Sequence, residues 1–394
     1  MSRTLRVVVA PDSFGGALDS VGVAASIASG WSRARPDDEI LQRPMADGGE
    51  GTLAAVAAAL GDAAERRTVE TTDALGRAVS ADWLLLDGGR GAFIEMAAAS
   101  GLARLSPEER TPDSARRAST RGTGDLVRAA LDAGVERITI GLGGSATTDG
   151  GSGLLRALGA RLLDEPGAEL PEGGAALARL DRIDAETLDA RLREVKIVIA
   201  SDVTNPLCGQ RGAAATYGPQ KGADPDAVAE LDAALARWGR AIEAATGRLV
   251  ADLPGAGAAG GTTAGLLGLT SALVRPGVEV VAELVGLADA LESADLVITG
   301  EGRADEQTLH GKTAIGVATL AGPRRTPVVL LCGGLGPGAE ALDAATSLTV
   351  VQPIVDRPMD LAEAMAATDR LLAAAAGRLA RTVGIGLTQS RLDE

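Results

Sequence analysis

The chain has 394 residues, a formal net charge of −15 at pH 7 and very few aromatic residues, namely three Trp, two Phe and one Tyr. Because domains cluster at roughly 100–150 residues, this length predicts two of them, with cores built mostly from Ala, Leu and Val. The negative charge argues against a nucleic-acid or acidic-membrane partner, although a small anionic substrate needs only a few cations brought together locally.

The sequence carries no pattern typical of export or membrane insertion. The apolar run at 7–10 is too short for a signal-peptide core, and no later stretch approaches ~18 uninterrupted apolar residues. We therefore expect a cytoplasmic protein. Cys208 and Cys332 can pair only once, and the single histidine, His310, leaves no zinc site, so structural disulfides and zinc are not expected.

The first 60 residues alternate between strand and helix patterns. The predicted elements are a strand at 5–10, a helix at 20–33, a strand at 39–43 and a helix at 52–60. This alternation is typical of parallel βαβ units, in which ligands bind beyond the carboxyl ends of the strands.

A different pattern begins near residue 70. Three β-rich runs at 67–72, 78–86 and 91–96 are separated by turn residues, which predicts antiparallel hairpins. Further predicted elements are a helix at 124–132, strands at 137–140, 196–200, 295–299, 327–331 and 348–351, and a helix at 360–381.

These patterns predict an α/β protein of two domains. The first is a doubly wound domain formed by both chain ends, residues 1–68 and 288–394, and the second is an inserted mixed α/β domain of residues 69–287.

Lysine is rare in this chain. Of 38 basic residues, only Lys196, Lys221 and Lys312 are lysines. A compact, rotatable ammonium suits a phosphate contact, so a lysine kept among so many arginines marks a candidate site. The only asparagine, Asn205, lies near Lys221 in sequence. Chance clustering remains the alternative explanation.

Glycine-rich loops follow or flank several predicted strands. Glycine lets backbone N–H groups approach a phosphate, but each loop alone is better explained by a tight turn that binds nothing. The segment 255–260 matches G-x-G-x-x-G, yet no strand precedes it and no suitably placed acid follows, so a dinucleotide fingerprint is not predicted. The loops lie at 11–16, 47–52, 141–153 and 255–261.

The segment 300–314 contains a Gly-Lys-Thr that looks like a phosphate-binding loop. The P-loop pattern fails here because Glu306 stands where its first glycine belongs. His310 has no identifiable relay partner, so we do not expect it to be the catalytic base.

Five aspartates lie in loops beyond predicted strands or beside glycine clusters. Carboxylates in such places can hold Mg²⁺ or accept a proton from an attacking hydroxyl, as phosphoryl transfer requires. Helix capping and turn formation are the alternative, so we expect two or three of the five to be functional. They are Asp12, Asp47, Asp149, Asp202 and Asp305.

Six strings, in chain order from about residue 7 to residue 380, together resemble the bacterial glycerate kinase family of the type whose product is 2-phosphoglycerate. The resemblance implies ATP-dependent phosphorylation of D-glycerate to 2-phospho-D-glycerate, with Mg²⁺ as cofactor. It also implies a Rossmann-like domain and an inserted α/β domain, with the active site in the cleft between them. The strings are APDSF, ADGGEGT, GLGGSATTDGGSGLLRALGARLLD, NPLCGQRGAAATYGPQKGA, PGAGAAGG and DLVITGEGRADEQTLHGKTAIGVA.

The chain departs from the usual family pattern at a few positions. Gly15 stands where the family usually has lysine after APDSF, so a cation is missing beside the first loop. Thr148, Ala304 and Ala314 are milder departures, and none of the four removes a candidate carboxylate or Lys312. The change at Gly15 is the one able to alter the acceptor or to weaken anion binding.

The hypothesis for the mechanism assigns roles to individual residues. Asp202 is the first candidate for the base and Asp305 the second, while Lys312 and, less surely, Lys221 neutralise phosphate charge. Arg303 can bind the carboxylate of glycerate with a bidentate fork. Gly143, Gly144 and Ser145 are assigned to a phosphate cradle together with the loop at 47–51, and the Asn205 amide is predicted to contact the acceptor. The other predicted binding residues are Asp12, Ser13, Asp47, Gly48, Gly49, Glu301 and Gln307, and the candidate metal ligands are Asp47, Asp149 and Glu301.

Three other functions remain open at this point. They are a kinase of a related small hydroxy acid, a non-catalytic relative that binds nucleotide or sugar acid, and a nicotinamide-dependent dehydrogenase. The second would be expected to lose the candidate carboxylates, and the third would need a better glycine fingerprint. The expected partners are ATP and a short hydroxy acid, in a monomer or a homodimer.

Overall fold

A computed structural model describes residues 3–310, 313–342, 348 and 350–389 of the chain. Lys312, predicted to be a catalytic lysine, lies outside the described residues. Among those residues, no helix combines the length and the apolar character needed to cross a membrane.

The strands of the described chain are numbered in chain order. They are β1 Arg6–Val9, β2 Glu39–Gln42, β3 Glu65–Thr72, β4 Ala78–Leu86, β5 Gly91–Glu95, β6 Arg137–Gly141, β7 Arg161–Leu163, β8 Arg182–Asp184, β9 Lys196–Ala200, β10 Leu273–Arg275, β11 Leu296–Ala304, β12 Val328–Leu335 and β13 Val350–Pro353.

The α-helices are numbered in the same way. They are α1 Ser20–Ala34, α2 Thr52–Leu60, α3 Ala97–Ser100, α4 Pro112–Arg117, α5 Arg121–Asp132, α6 Ser152–Ala157, α7 Ala213–Tyr217, α8 Pro225–Thr246, α9 Ala258–Leu269, α10 Gly277–Leu284, α11 Leu287–Leu291, α12 Thr313–Ala321, α13 Leu361–Ala366 and α14 Thr368–Gln389.

The chain divides into two compact units, and both are α/β, as predicted. The observed bounds differ from the predicted division at 68/69 and 287/288, because the segment Gly48–Leu53 groups with the second unit and the rest of that unit runs from Asp62 to Gly277. The first unit is Met1–Asp47, Ala54–Gly61 and Val278–Glu394, and the second unit is Gly48–Leu53 and Asp62–Gly277.

The first unit is built on a parallel sheet of order β13-β12-β11-β1-β2. Its central strands are apolar and buried, as parallel strands are when helices cover both faces. Helices α1 and α14 pack closely together, since a Cβ added to Gly30 would lie 2.0 Å from the carbonyl oxygen of Ala373. This contact requires glycine and holds both chain ends in one core.

Two elements of the first unit differ from the sequence prediction. Strand β11 continues past Gly300 to Ala304, because β12 pairs with it through Ala304 and Leu335. The glycines of β11 do not end the strand, because the backbone of β12 packs directly against them. A Cβ on Gly333 of β12 would lie 2.4 Å from the carbonyl oxygen of Gly302 of β11. The predicted helix at 360–381 is two helices, α13 and α14, which are separated at residue 367.

The second unit is built on a mixed sheet of order β10-β9-β6-β5-β4-β3. β3, β4 and β5 pair antiparallel, which confirms the predicted hairpins, whereas β5, β6, β9 and β10 pair parallel. The loops that leave the parallel strands β6 and β9 carry several of the predicted site residues.

Candidate functional site

Three glycine-rich loops of the second unit, which contain Gly49, Gly143 and Gly260, pack against one another. A Cβ on Gly143 would lie 2.3 Å from Cα of Gly49, and one on Gly260 would lie 2.0 Å from the carbonyl oxygen of Thr147. Only glycine permits such backbone contacts, so these loops are glycine-rich first of all because they pack together.

The packed loops border a pocket of about 440 Å³ in the second unit. This volume is within the usual range for small-molecule sites. Four predicted residues line it, together with several that the sequence analysis missed. The lining is Glu50, Leu102, Ala103, Arg110, Leu142, Gly143, Gly144, Ser145, Val203, Tyr217, Gln220, Lys221 and Ala259.

Lys221 is a buried cation in the wall of this pocket, with 2% of its surface exposed. Its Nζ donates to Oγ of Ser145 at 3.1 Å and to the carbonyl oxygen of Thr147 at 2.5 Å. Burial lowers the pKa of Lys221 to about 7, although Asp149 acts in the opposite direction. An anion bound beside it would favour the charged form.

Asp149, a candidate metal ligand, is fully buried. Its carboxylate accepts hydrogen bonds from the backbone N–H groups of Thr120, Gly151 and Gly153 at 2.9, 3.2 and 3.1 Å, and from the Thr120 hydroxyl at 2.9 Å. Burial raises the pKa of Asp149, and these hydrogen bonds oppose the rise. This geometry favours a structural role for Asp149 at the start of α6. Metal binding by Asp149 stays a prediction.

The predicted phosphate cradle at residues 143–145 is partly used by the protein itself. The Gly143 N–H points to the carbonyl oxygen of Gly48 at 3.5 Å, so one of the predicted donors faces the protein backbone. The side-chain cations of the lining add to the attraction that this pocket can offer to an anion.

Arg110 is the second cation of the pocket lining, and the sequence analysis missed it. Its Nη2 donates to the carbonyl oxygens of Leu102 and Leu105 at 3.2 and 3.0 Å, which fixes the guanidinium in place. Nothing in the surrounding sequence distinguishes Arg110 from the other arginines of the chain.

The loop after β9 carries Asp202 and Asn205. Asp202 is exposed, and its carboxylate accepts from the Gly277 N–H at 2.9 Å. The Asn205 amide is engaged at both ends, because Nδ2 donates to the carbonyl oxygen of Arg211 and Oδ1 accepts from the Tyr217 hydroxyl, each at 2.8 Å. Asn205 thus supports the loop, and its predicted contact with an acceptor stays a prediction.

Asp12 is the first candidate residue of the first unit in chain order. Its backbone N–H donates to the carbonyl oxygen of Gly300 at 2.8 Å, so the loop after β1 lies beside β11. Its carboxylate accepts from the Ser13 N–H at 2.6 Å and from Oγ1 of Thr313 at 2.5 Å. Burial raises the pKa of Asp12, the hydrogen bond from Thr313 opposes this, and Asp47 adds a smaller rise.

The end of β11 carries the other candidates of the first unit. Glu301 is buried within the strand, whereas the Arg303 side chain is 64% exposed and its Nε lies 3.4 Å from Oδ2 of Asp305. The Asp305 carboxylate also accepts from the N–H of Gln307 at 2.9 Å. Asp305 therefore organises the turn after β11, and Arg303 extends a guanidinium beyond it.

A candidate metal site is not evident from side chains alone. Within the described part of the chain, no three His, Cys, Asp or Glu side chains are grouped so that they could hold a metal ion. Mg²⁺ does not require such a group, since it is usually bound by one or two carboxylates together with the phosphates of a substrate. Asp47 is exposed and Glu301 is buried, and both stay candidates.

Comparisons with known proteins give one consistent result. A family model described as the glycerate kinase family matches residues 7–384. A glycerate kinase of Halalkalibacterium halodurans is 45% identical over 95% of this chain and 97% of its own length, and a glycerate 2-kinase of Escherichia coli is 44% identical over 84% and 86%. A crystal structure from Salmonella typhimurium LT2, provisionally named glycerate kinase 2, covers 98% of this chain and 100% of its own, with a TM-score of 0.86 and 43% identity.

Proposed function

We propose, from the premise that this chain belongs to the glycerate kinase family, that it transfers the γ-phosphoryl group of ATP to D-glycerate and forms 2-phospho-D-glycerate. Membership makes the protein a kinase that transfers phosphate to an alcohol group. The name of the Escherichia coli relative, glycerate 2-kinase, supports the 2-hydroxyl as the acceptor.

The observation that carries the proposal is the second-unit pocket with its two fixed cations. Lys221 and Arg110 offer positive charge to phosphate groups in a chain whose net charge is −15. A volume of about 440 Å³ suits a nucleotide better than a three-carbon acid. We therefore assign the nucleotide phosphates to this pocket.

On the acceptor side, the Arg303 guanidinium is exposed and suited to a bidentate contact with the carboxylate of glycerate. Asp202 stays the first candidate for the base, since its carboxylate is exposed after a strand end. In the reaction the base takes the hydroxyl proton, the hydroxyl oxygen bonds to the γ-phosphorus, and the bond from that phosphorus to ADP breaks. Asp305 is weaker as a base because its carboxylate holds a turn and faces Arg303.

We propose Mg²⁺ as the cofactor, since its charge would offset that of the transferred phosphates. Asp47 and Glu301 are the predicted ligands of the first unit. Lys312 stays a prediction for phosphate binding. The cytoplasmic location and the choice between monomer and homodimer also stay predictions.

A related small hydroxy acid is the second candidate acceptor, and Gly15 favours it. A Cβ added at Gly15 would meet no atom within 4 Å, so the absence of a side chain there leaves space as well as removing a cation. The open space would admit a longer acid, and the missing cation would weaken the preference for a small anion.

An ADP-release assay with D-glycerate, L-glycerate and longer sugar acids tests the proposed function. D-glycerate is expected to give the highest kcat/KM. A longer acid that ranks first would select the second candidate acceptor. ATP binding without ADP release across the panel would indicate a non-catalytic relative, and a thermal shift with NAD but not with ATP would indicate a dehydrogenase.

A further inference from the structure

Glu50 is the single acidic residue in the lining of the second-unit pocket. The same lining contains two cations, Lys221 and Arg110. The Glu50 side chain is exposed and takes part in no hydrogen bond or ion pair with any described residue. Its carboxylate is therefore available to a ligand, unlike that of Asp149 on the neighbouring loop, which several protein donors already occupy.

The backbone around Glu50 is fixed by a second glutamate. The buried Glu95 carboxylate accepts from the N–H groups of Gly51 at 3.2 Å and Leu53 at 2.9 Å. Because Glu95 occupies these first donors of α2, they are not offered to a phosphate. On the other side, a Cβ on Gly144 would lie 3.6 Å from Oε2 of Glu50, so this carboxylate adjoins the exposed backbone of the predicted cradle.

A lone carboxylate in a pocket for phosphates is unfavourable by itself, because like charges repel. A divalent cation between the carboxylate and the phosphate attracts both groups, so the whole arrangement becomes favourable. Mg²⁺ typically binds in this way, through one or two carboxylates and substrate phosphates. The charge pattern of the pocket therefore fits a metal–nucleotide complex better than a free nucleotide.

We propose that Glu50 is the protein carboxylate that holds the divalent cation of the metal–nucleotide complex in this pocket. The inference rests on the proposed function, because the nucleotide phosphates complete the coordination. Glu50 takes the place of Asp149 in the ligand set predicted from the sequence, and Asp47 and Glu301 stay candidates for a second carboxylate.

The inference predicts opposite effects of one substitution with and without metal. In Glu50→Gln, ADP should bind several-fold more tightly than to the wild type when metal is absent, because a repelling charge is gone. The gain in ADP affinity that Mg²⁺ gives the wild type should fall by about tenfold, because the metal loses a ligand. A residue that only supported the loop would weaken ADP binding under both conditions.

Calorimetric titration of ADP with and without Mg²⁺ tests this, with Mn²⁺ electron paramagnetic resonance as a direct readout of bound metal. The matched control is Glu70→Gln on β3, an exposed carboxylate of the same unit outside the pocket lining, which should behave as the wild type. Glu50→Asp keeps the charge on a shorter side chain and should retain part of the Mg²⁺ effect.

The outcomes separate the two proposals. Wild-type protein that binds no ADP would overturn the proposed function and this inference together. ADP binding with the full Mg²⁺ effect retained in Glu50→Gln would overturn the assignment of Glu50 alone. Weaker ADP binding in both conditions would likewise overturn it and leave Glu50 a loop residue.

Discussion

The two units hold their candidate residues in contrasting ways. In the second unit, Lys221 is buried and fixed by Ser145 and the loop backbone, at a place where glycine-rich loops pack at backbone distance. In the first unit, Asp12 and Arg303 lie at strand ends, and Arg303 is largely exposed. Lys221 is thus a preorganised charge, whereas the exposed Arg303 guanidinium can adapt to a ligand.

This difference matches the different demands of two ligands. A nucleotide phosphate is bound best by charges that need no rearrangement, because reorganisation reduces electrostatic stabilisation. A small acceptor has to enter and leave, and an exposed guanidinium permits that. The first prediction tests the base, and the others test whether the second-unit pocket holds the nucleotide phosphates and whether residues of the first unit bind the acceptor.

The largest effect is expected from Asp202→Asn. If this carboxylate is the base, its loss should lower kcat on the order of 10²–10⁴-fold with an unchanged melting temperature. Steady-state ADP release with D-glycerate measures it, and Asp305→Asn is the companion variant. Near-wild-type turnover in Asp202→Asn would disprove the assignment and move Asp305 to first place.

Lys221→Met should weaken ADP binding by about 100-fold, because it removes a buried cation from the lining of the proposed phosphate site. Calorimetry measures the affinity, and Lys196→Met, at an exposed lysine of β9, is the control. Unaltered ADP affinity together with an unaltered fold would show that the pocket is not the phosphate site.

The affinity of the wild type for ADP should also depend on pH through Lys221. With a pKa of about 7, the side chain is mostly ammonium at pH 6 and mostly amine at pH 8. The ratio of wild-type to Lys221→Met affinity should therefore fall by about tenfold as pH rises from 6 to 8. A flat ratio would contradict a titrating lysine beside the phosphates.

Arg303→Lys should raise the KM for glycerate by about tenfold and leave the KM for ATP unchanged, because lysine keeps the charge but loses the bidentate fork. The exposure of Arg303 makes a folding defect unexpected. A change confined to the KM for ATP would contradict the assignment of Arg303 to the acceptor.

The smallest effect is expected from Gly15→Lys. The open space at this position should accept the side chain without loss of stability, and the added cation should lower the KM for D-glycerate a few-fold. Competition between D-glycerate and a longer acid measures the change in preference. A melting temperature that drops by several degrees would show that the space is not available.

The sequence predicted the α/β fold and most elements because apolar periodicity and turn residues are local signals. It placed the end of β11 too early, since the pairing with β12 that extends this strand is not local. The site was harder to predict for the same reason. Lys221 stood out by its rarity, but Arg110 reaches the pocket only through tertiary folding, and nothing in its neighbourhood marks it.

Glu50 shows a different limit of prediction. It lies in a loop that the sequence analysis selected for its glycines, yet the metal assignment went to Asp47 of the same loop and to Asp149. Burial separates Glu50 from Asp149, because Asp149 is enclosed and hydrogen-bonded whereas Glu50 faces the pocket. Accessibility of this kind depends on packing and cannot be read from residue type.

Phosphorus NMR of the product formed from ATP and D-glycerate tests the central claim most directly. The account predicts ADP and one new phosphomonoester signal, coupled to the single proton on carbon 2 and matching authentic 2-phospho-D-glycerate. A signal coupled to the two protons on carbon 3, or no phosphomonoester at all, would contradict it.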